Sequence, residues 1–224
     1  AFLDEGSDAS KTKRGQSGLD IFRIGADGFY DPFQISAEYR YYPYMHTIHH
    51  GWIGYQVPDG GQFQFGISQV PFGILPYASH NFWFGAPYYL GLSDDYDLGL
   101  KWIGLDGPWN LQLAFYKNAE LGSASNLNRY SFDVVRVGNQ QNEEINQFNA
   151  RITYTAERGL DSLHEIGLSL QAGQLYNGLT DDTGNHWAFG AHLDSRVRRW
   201  NFQLELARYG YNPENPPGMA DDVV

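Results

Sequence analysis

Along most of this chain, hydrophobic and polar residues alternate with a period of two. Between Trp109 and Tyr116 the odd positions are Trp, Leu, Leu and Phe, and the even positions are Asn, Gln, Ala and Tyr. A strand separates these two sets onto opposite faces, whereas a helix would mix them on every face. The same alternation recurs in residues 165–171 and 200–207. The pattern therefore predicts an all-β chain.

The alternation and the turn residues between its segments predict about ten strands and no helix of normal length. The predicted strands are 19–26, 33–42, 44–57, 61–69, 94–104, 108–117, 145–156, 163–174, 185–195 and 198–209. Residues 1–18 are polar and rich in Gly, Ser and Lys, which is typical of a flexible leader. Residues 19–224 are expected to form one β-domain.

The connections between the predicted strands alternate in length from the fourth strand onward. Hairpin signals stand at residues 59–61 and at Asp106-Gly107, whereas 70–93, 118–144 and 175–184 are long. Tight turns at one end and large loops at the other are typical of an antiparallel up-and-down transmembrane β-barrel. The predicted short turns flank Trp102, Trp109 and Trp200, which would then form an aromatic rim at one membrane interface.

Composition narrows the function classes. The formal net charge of −11 disfavours a nucleic-acid partner, because such proteins need a basic surface. The chain has no cysteine, so disulfides, thiolate metal sites and cysteine nucleophiles are excluded. The alternation also suits a soluble all-β carbohydrate-binding protein, whose polar face would be ordinary outer surface. Both interpretations stay open at this point.

Opposite the apolar row, the strands carry polar side chains that would line a water-filled channel. The predicted pore-lining residues are Glu38, Arg40, Gln64, Asp97, Lys101, Asn110, Gln112, Arg151, Glu165, Gln171, His192, Asp194, Arg196, Gln203 and Glu205. Their positive and negative charges nearly balance, whereas an anion-selective path would need a basic ring. The polar face therefore indicates a general or weakly selective pore for small hydrophilic solutes or ions.

The long segment 70–93 contains no Asp, Glu, Lys or Arg and is rich in aromatic residues. We expect it either to fold into the channel as a constriction loop or to pack on the barrel wall or on a neighbouring copy. The candidate constriction residues are Phe72, Tyr77, His80, Phe82, Trp83 and Tyr88.

Other titratable clusters give weaker signals, and we expect no cofactor and no resident metal. His46 and His50 would share a strand face and His49 would point away, which disfavours a zinc site. Glu165 and Glu205 could form a glycosidase acid/base pair, but any β-wall carries such pairs and the chain is not expected to be an enzyme. Acidic pairs at 94–95, 143–144, 181–182 and 221–222 would lie in loops at the long-loop end, and they either are simply solvated or bridge to lipopolysaccharide through divalent cations.

Two segments of the chain resemble the phosphate-selective porin O/P family. They are Gly66-Ile67-Ser68-Gln69-Val70-Pro71-Phe72-Gly73 and Gly91-Leu92-Ser93-Asp94-Asp95-Tyr96-Asp97-Leu98-Gly99-Leu100-Lys101. The resemblance implies a bacterial outer-membrane barrel of sixteen strands that is usually trimeric and passes small hydrophilic solutes. Ten strands in this chain would then be an N-terminal portion of such a barrel, since sixteen need roughly 360 residues at this strand and loop size.

Overall fold

The computed structural model describes residues 21–58, 60–76, 85–120, 142–159 and 161–215. It is all-β, with ten strands in one antiparallel sheet whose order follows the chain. The elements are β1 Phe22–Tyr30, β2 Phe33–Tyr42, β3 Met45–Val57, β4 Gly61–Gln69, the short helix α1 Ala86–Tyr89, β5 Tyr96–Asp106, β6 Trp109–Ala119, β7 Asn142–Glu157, β8 Ser162–Asn177, β9 Thr183–Val197 and β10 Trp200–Asn212. Among the described residues, no helix combines the length and apolarity needed to span a bilayer.

The all-β class and the up-and-down order are confirmed, and the predicted strands correspond one to one with the observed ones. Within the described residues no pairing joins β1 to β10, so the sheet is open there and the closed barrel stays a prediction. The predicted leader, 1–18, lies outside the described residues.

One predicted long connection is wrong. The structure extends β8 to Asn177 and begins β9 at Thr183, so the connection is 178–182 rather than 175–184. Asn177 closes this turn from both sides, since its N–H donates to Asp182 O at 2.9 Å and its O accepts from Asp181 N at 3.0 Å. Its side-chain Oδ1 also accepts from Leu179 N at 2.8 Å. These local hydrogen bonds close a short turn where the sequence predicts a long loop.

The two faces of the sheet are inverted relative to those of a soluble protein. In β9, Trp187 and Phe189 are 42% and 45% exposed, whereas the intervening polar face buries His186, His192 and Asp194 to 8% exposure or less. The same division holds from β2 to β9, where polar and charged side chains outnumber hydrophobic ones among the buried residues. The apolar face carries large exposed Phe, Ile, Leu, Tyr and Trp side chains.

Three register shifts interrupt the strand pairing. They occur between Glu38 and Tyr39, between Leu98 and Gly99, and between Ile145 and Phe148. The first leaves an extra residue in β3 at His49, so the faces of β3 change there.

This shift overturns the predicted faces of the histidines. His49 and His50 lie side by side, with their Nδ1 atoms 2.7 Å apart. His50 Nε2 is also 3.0 Å from the Oγ of buried Ser36 on the polar face. His46 is exposed and lies against Tyr39, with ring centroids 6.2 Å apart. His46 and His50 therefore do not share a face.

The segment that follows β4 shows that the sheet curves around its polar face. Ile74 donates its backbone N–H to Glu205 Oε2 in β10 at 3.3 Å, only five residues after the end of β4 at Gln69. Five extended residues reach about 17 Å. The six strand spacings from β4 to β10 would cover about 29 Å in a flat sheet. The difference between these two lengths exceeds the reach of a glutamate side chain, so the sheet must curve. Its polar face is therefore concave and its apolar face convex.

Candidate functional site

The concave face holds the sequence-predicted polar set. By position and register, Glu38, Arg40, Gln64, Asp97, Lys101, Asn110, Gln112, Arg151, Glu165, Gln171, His192, Asp194, Arg196, Gln203 and Glu205 all lie on it. In that register, residues of adjacent strands lie directly opposite each other, as Gln112 of β6 does with Arg151 of β7. The structure thus brings these residues to one surface, and their role as pore lining stays a prediction.

Residues 70–76, here called the strap, lie across this concave face. Arg151 of β7 donates from Nε to Gly73 O at 2.7 Å and from a terminal nitrogen to Glu165 Oε1 at 2.7 Å. His192 Nε2 lies 3.1 Å from the same carboxylate oxygen of Glu165. Arg151 is 3% exposed, and its buried charge is compensated by Glu165, whose side chain is 26% exposed. This cluster joins β7, β8 and β9 to the strap.

The strap backbone also donates to the wall. Gly73 N–H donates to Ser169 Oγ at 3.0 Å, and Ile74 N–H donates to Glu205 Oε2 at 3.3 Å. Gly73 has a φ of 62°, and a Cβ there would lie 2.2 Å from Glu205 Oε1. The positive φ favours glycine at this position, and a Cβ there would also displace the Glu205 carboxylate from its contact with the strap. Glu165 and Glu205 are the candidate acid/base pair, and both have a structural contact here. Glu205 accepts a hydrogen bond from the strap, and Glu165 pairs with Arg151, which donates to the strap.

Phe72 fixes the strap by packing. Its side chain is completely buried and clusters with Leu92 and with Ala188 of β9. Gly190 follows on the same face of β9, and a Cβ there would lie 2.8 Å from the Phe72 ring. The small residues of β9 therefore leave the space that the Phe72 ring fills. Deleting a buried phenylalanine side chain costs about 3–5 kcal/mol, so we expect this contact to contribute strongly to holding the strap in place.

The chain is attached to the wall where it enters the strap and where it returns towards β5. Lys101 Nζ and Tyr116 OH both donate to Gln69 O at 2.9 Å. Val70 N–H donates to Asp95 O at 2.9 Å, which ties the outgoing chain to the returning one. On the return, Tyr211 OH of β10 donates to Leu90 O at 3.3 Å. The described parts of 70–95 are thus attached to the wall at several strands.

Of the candidate constriction residues, Phe72 and Tyr88 are described. Burial raises the pKa of the Tyr88 phenol above its ordinary value, and the Asp94 carboxylate acts in the same direction, so Tyr88 stays neutral. Tyr77, His80, Phe82 and Trp83 lie outside the described residues.

Charges on the concave face are largely paired within short distances. Arg40 donates to Glu38, and Arg196 donates to Asp194 Oδ2 at 3.1 Å. Asn201 donates to the second Asp194 oxygen at 2.6 Å. Together with the Arg151–Glu165 pair, these contacts leave no ring of one sign among the described residues.

Amide side chains on the rest of the face hydrogen-bond to one another, both within a strand and between strands. Gln62 donates to Gln34 at 2.8 Å and Gln64 donates to Gln62 at 2.6 Å. On the other side of the strap, Asn149 donates to Gln171 at 3.1 Å. Such neutral, hydrogen-bonding groups provide a wall that water can solvate.

A buried acidic cluster, which the sequence pattern does not predict, lies where the chain enters β5 and where β7 begins. Oxygen atoms of Asp95, Asp97 and Glu144 all lie within 4.8 Å of one another, and all three residues are buried. Glu144 was predicted in a loop, but it lies in β7 because that strand begins at Asn142. The pair at 181–182 is exposed in its turn, as expected, and the pair at 221–222 lies outside the described residues.

A row of aromatic residues on the convex face lies close to the tight turns. Phe33, Tyr55, Phe63 and Trp102 stand directly opposite one another along four adjacent strands. Next along the sheet, the Trp109 and Tyr154 rings lie 4.9 Å apart in an edge-on contact. Trp200, the first residue of β10, is 72% exposed. This row borders the apolar band at one end of the strands.

No protein-family model and no curated protein matches the chain. The resemblance to the phosphate-selective porins therefore stays a prediction.

Proposed function

We propose that this chain forms the wall of an outer-membrane β-barrel porin, in which small hydrophilic solutes or ions cross by passive diffusion. The observation that carries the proposal is the inverted sheet, with its large apolar side chains on the exposed convex face and its polar side chains on the buried concave face. In water, a contiguous apolar surface of this extent is a liability for a monomer. In lipid, the same face is solvated by acyl chains, and strand pairing satisfies the backbone.

Strand length and aromatic placement support the same function. The strands contain 9 to 16 residues, and a tilted transmembrane strand needs about 9–11. The row that begins at Phe33 and ends at Trp200 would form the girdle at the short-turn interface. Closure of the barrel, by this chain alone or with further strands as the family resemblance implies, belongs to the proposal, as does assembly into trimers.

The proposed mechanism is filtration through a narrowed, hydrated lumen. The strap reduces the free cross-section because it crosses the concave face at β8 and β10 through Ser169 and Glu205. The paired charges produce little net field, so we expect a weakly selective channel rather than a phosphate-selective one. The exposed carboxylates of Asp181 and Asp182 lie at the same end as the strap and could contact lipopolysaccharide through divalent cations.

Recording from planar lipid bilayers tests this function. We expect the complete protein, folded in detergent and added to one side, to give discrete conductance steps in salt. Under a salt gradient the reversal potential should lie near zero, because the charges of the lumen are paired.

The rival function is a soluble all-β carbohydrate-binding protein. A silent bilayer, together with protein that stays monodisperse without detergent and binds oligosaccharides, would replace the porin proposal with that one. Conductance steps with a reversal potential close to that of a purely anion-selective channel would support the pore but contradict weak selectivity.

A further inference from the structure

An apolar groove crosses the convex face near the short-turn end of the strands. Its lining includes Ala191 of β9 and large side chains of β6, β7 and β8, which are Trp109, Ile152, Tyr154, Ile166 and Leu168. Ala191 stands opposite Leu168 on one side and Leu206 on the other, so its small side chain leaves a gap in a row of large ones. The ring contact between Trp109 and Tyr154 borders this groove.

A polar layer follows the groove in the direction of the turns. His164 of β8 and Ser195 of β9 are cross-strand partners, and His164 Nδ1 lies 2.8 Å from Ser195 Oγ. The convex face of β8 thus changes from apolar at Ile166 to polar at His164 and Ser162. Two residues advance about 7 Å along a strand. This distance is comparable with the interfacial layer of a bilayer, which is about 5–8 Å thick on each side.

Two arginines lie beyond the polar layer, at the turns themselves. Arg158 follows the end of β7, and Arg198 lies in the turn between β9 and β10. Both are fixed to the turn after β7, since Arg158 N–H donates to Ser162 O at 3.0 Å and Arg198 N–H donates to Asp161 O at 2.7 Å. Together with Trp200 they line a second hollow at the ends of these strands. Both arginines are exposed, and within the described residues neither guanidinium forms an ion pair.

We propose that this part of the convex face binds one anionic phospholipid of the leaflet at the short-turn end. An acyl chain would lie in the groove, the glycerol esters beside His164 and Ser195, and the phosphate at Arg158 and Arg198. The order of these three layers along the strands is the order of the groups in a glycerophospholipid, and this match carries the proposal. With Ser195 donating to Nδ1, His164 Nε2 holds a proton that it can donate to an ester carbonyl.

Charge favours an anionic lipid over a zwitterionic one. The formal net charge of the chain is −11, yet arginines outnumber carboxylates at these two turns, which contain Arg158, Arg198 and Arg199 with Glu157 and Asp161. A basic residue near a membrane surface strengthens the attraction to anionic lipid by about fivefold. Guanidinium groups also bind phosphate oxygens in a bidentate manner. A zwitterionic headgroup would instead bring its own cation close to the arginines.

The lipid site rests on one part of the proposed function, which is the contact of the convex face with lipid. It does not depend on whether the barrel conducts. The site and the channel can therefore be tested separately.

Native mass spectrometry of the complete protein, folded in detergent and titrated with phosphatidylglycerol, tests the site. We expect one retained lipid per chain in the first binding step, held at least about fivefold more tightly than phosphatidylcholine. Arg158→Gln and Arg198→Gln should each weaken phosphatidylglycerol binding by about fivefold. Arg208→Gln is the matched control, because it removes a guanidinium that lies opposite Phe189, towards the other end of the convex face of β10. It should bind phosphatidylglycerol like the unchanged protein.

Ala191→Phe tests the acyl groove without changing any charge. The phenylalanine ring would fill the gap between Leu168 and Leu206, so phosphatidylglycerol binding should fall severalfold although both arginines remain. Unchanged binding in Ala191→Phe would show that the arginines hold a phosphate group without its acyl chain, and it would overturn the lipid site.

Two further results would overturn the site. They are equal affinity of the unchanged protein for phosphatidylglycerol and phosphatidylcholine, and equal weakening by Arg208→Gln. A changed oligomeric state in the arginine variants, with lipid binding intact, would assign this face to a contact between copies instead.

The titration of the unchanged protein decides the matter even if a variant fails to fold. Selective lipid binding together with a silent bilayer contradicts the channel alone. Conductance steps without lipid selectivity contradict the lipid site alone.

Discussion

Replacing Leu204 with arginine is expected to lower the stability of the lipid-inserted chain by about 2–4 kcal/mol, the cost of a cation facing the middle of the bilayer. Leu204 is 49% exposed on the convex face of β10, between Phe202 and Leu206, which are exposed as well. Its cross-strand partner is another apolar residue, Leu193. An arginine there would meet acyl chains on every side. Urea titration of folding into phosphatidylcholine vesicles measures the loss.

Gln203→Arg is the matched control, since it adds the same side chain one position away on the concave face. Gln203 lies opposite Asp194, so the new guanidinium gains an anionic neighbour and stays in water. We expect a stability change within about 0.5 kcal/mol and a reversal potential shifted towards anions. Equal tolerance of the two arginines would mean that the convex face does not contact lipid.

Phe72→Ala is expected to release the strap and enlarge the channel. Loss of a fully buried phenylalanine costs about 3–5 kcal/mol, which lowers the ratio of docked to undocked strap by about 10²–10³-fold or more. The hydrogen bonds to Gly73 and Ile74 remain available but lose their packing support. Single-channel recording should then show a larger and noisier conductance, and chymotrypsin should cut the segment 70–93 faster.

Tyr89→Ala provides the control for the strap, because it truncates an aromatic residue of the same segment that is 58% exposed. We expect its conductance to equal that of the unchanged chain. An unchanged conductance in Phe72→Ala would show that the strap does not limit the pore, even if the cleavage rate rises.

Most of the fold is readable from local pattern. Strand β10 is an example, since Trp200, Phe202 and Leu204 alternate with Asn201 and Gln203 without interruption. A strand imposes that period whatever the rest of the chain does. The face of each polar residue follows from the same rule, so the concave set could be identified before its partners in space were known.

The rule fails where the period itself is broken. An extra residue at His49 moves His50 to the face of Ser36, and local alternation contains no signal for such a bulge. The predicted end of β8 is wrong for a related reason. The side chain of Asn177 closes a short turn whose composition is typical of a long loop.

The contacts of the strap and of the acidic cluster join residues that are far apart in the sequence, and no local pattern predicts such contacts. Gly73 meets Ser169, and Asp95 meets Glu144, only because the sheet curves. Sequence spacing indicated that Asp97 shares the face of Arg151, but not which residues of the strap or of β7 would contact either one. The small side chains of Ala188 and Gly190 were the one available signal, since gaps in a strand face leave room for a packed segment.

The lipid exposure of the convex face is the central claim, and site-directed spin labelling measures it directly. The chain has no cysteine, so single cysteines at Ile166, Leu168 and Leu170, and at Glu165 and Gln171, each carry one label. In liposomes we expect labels at the even positions of β8 to relax with oxygen and labels at the odd positions to relax with a water-soluble nickel complex. Water access at both sets, or the reverse assignment, would contradict a lipid-facing wall.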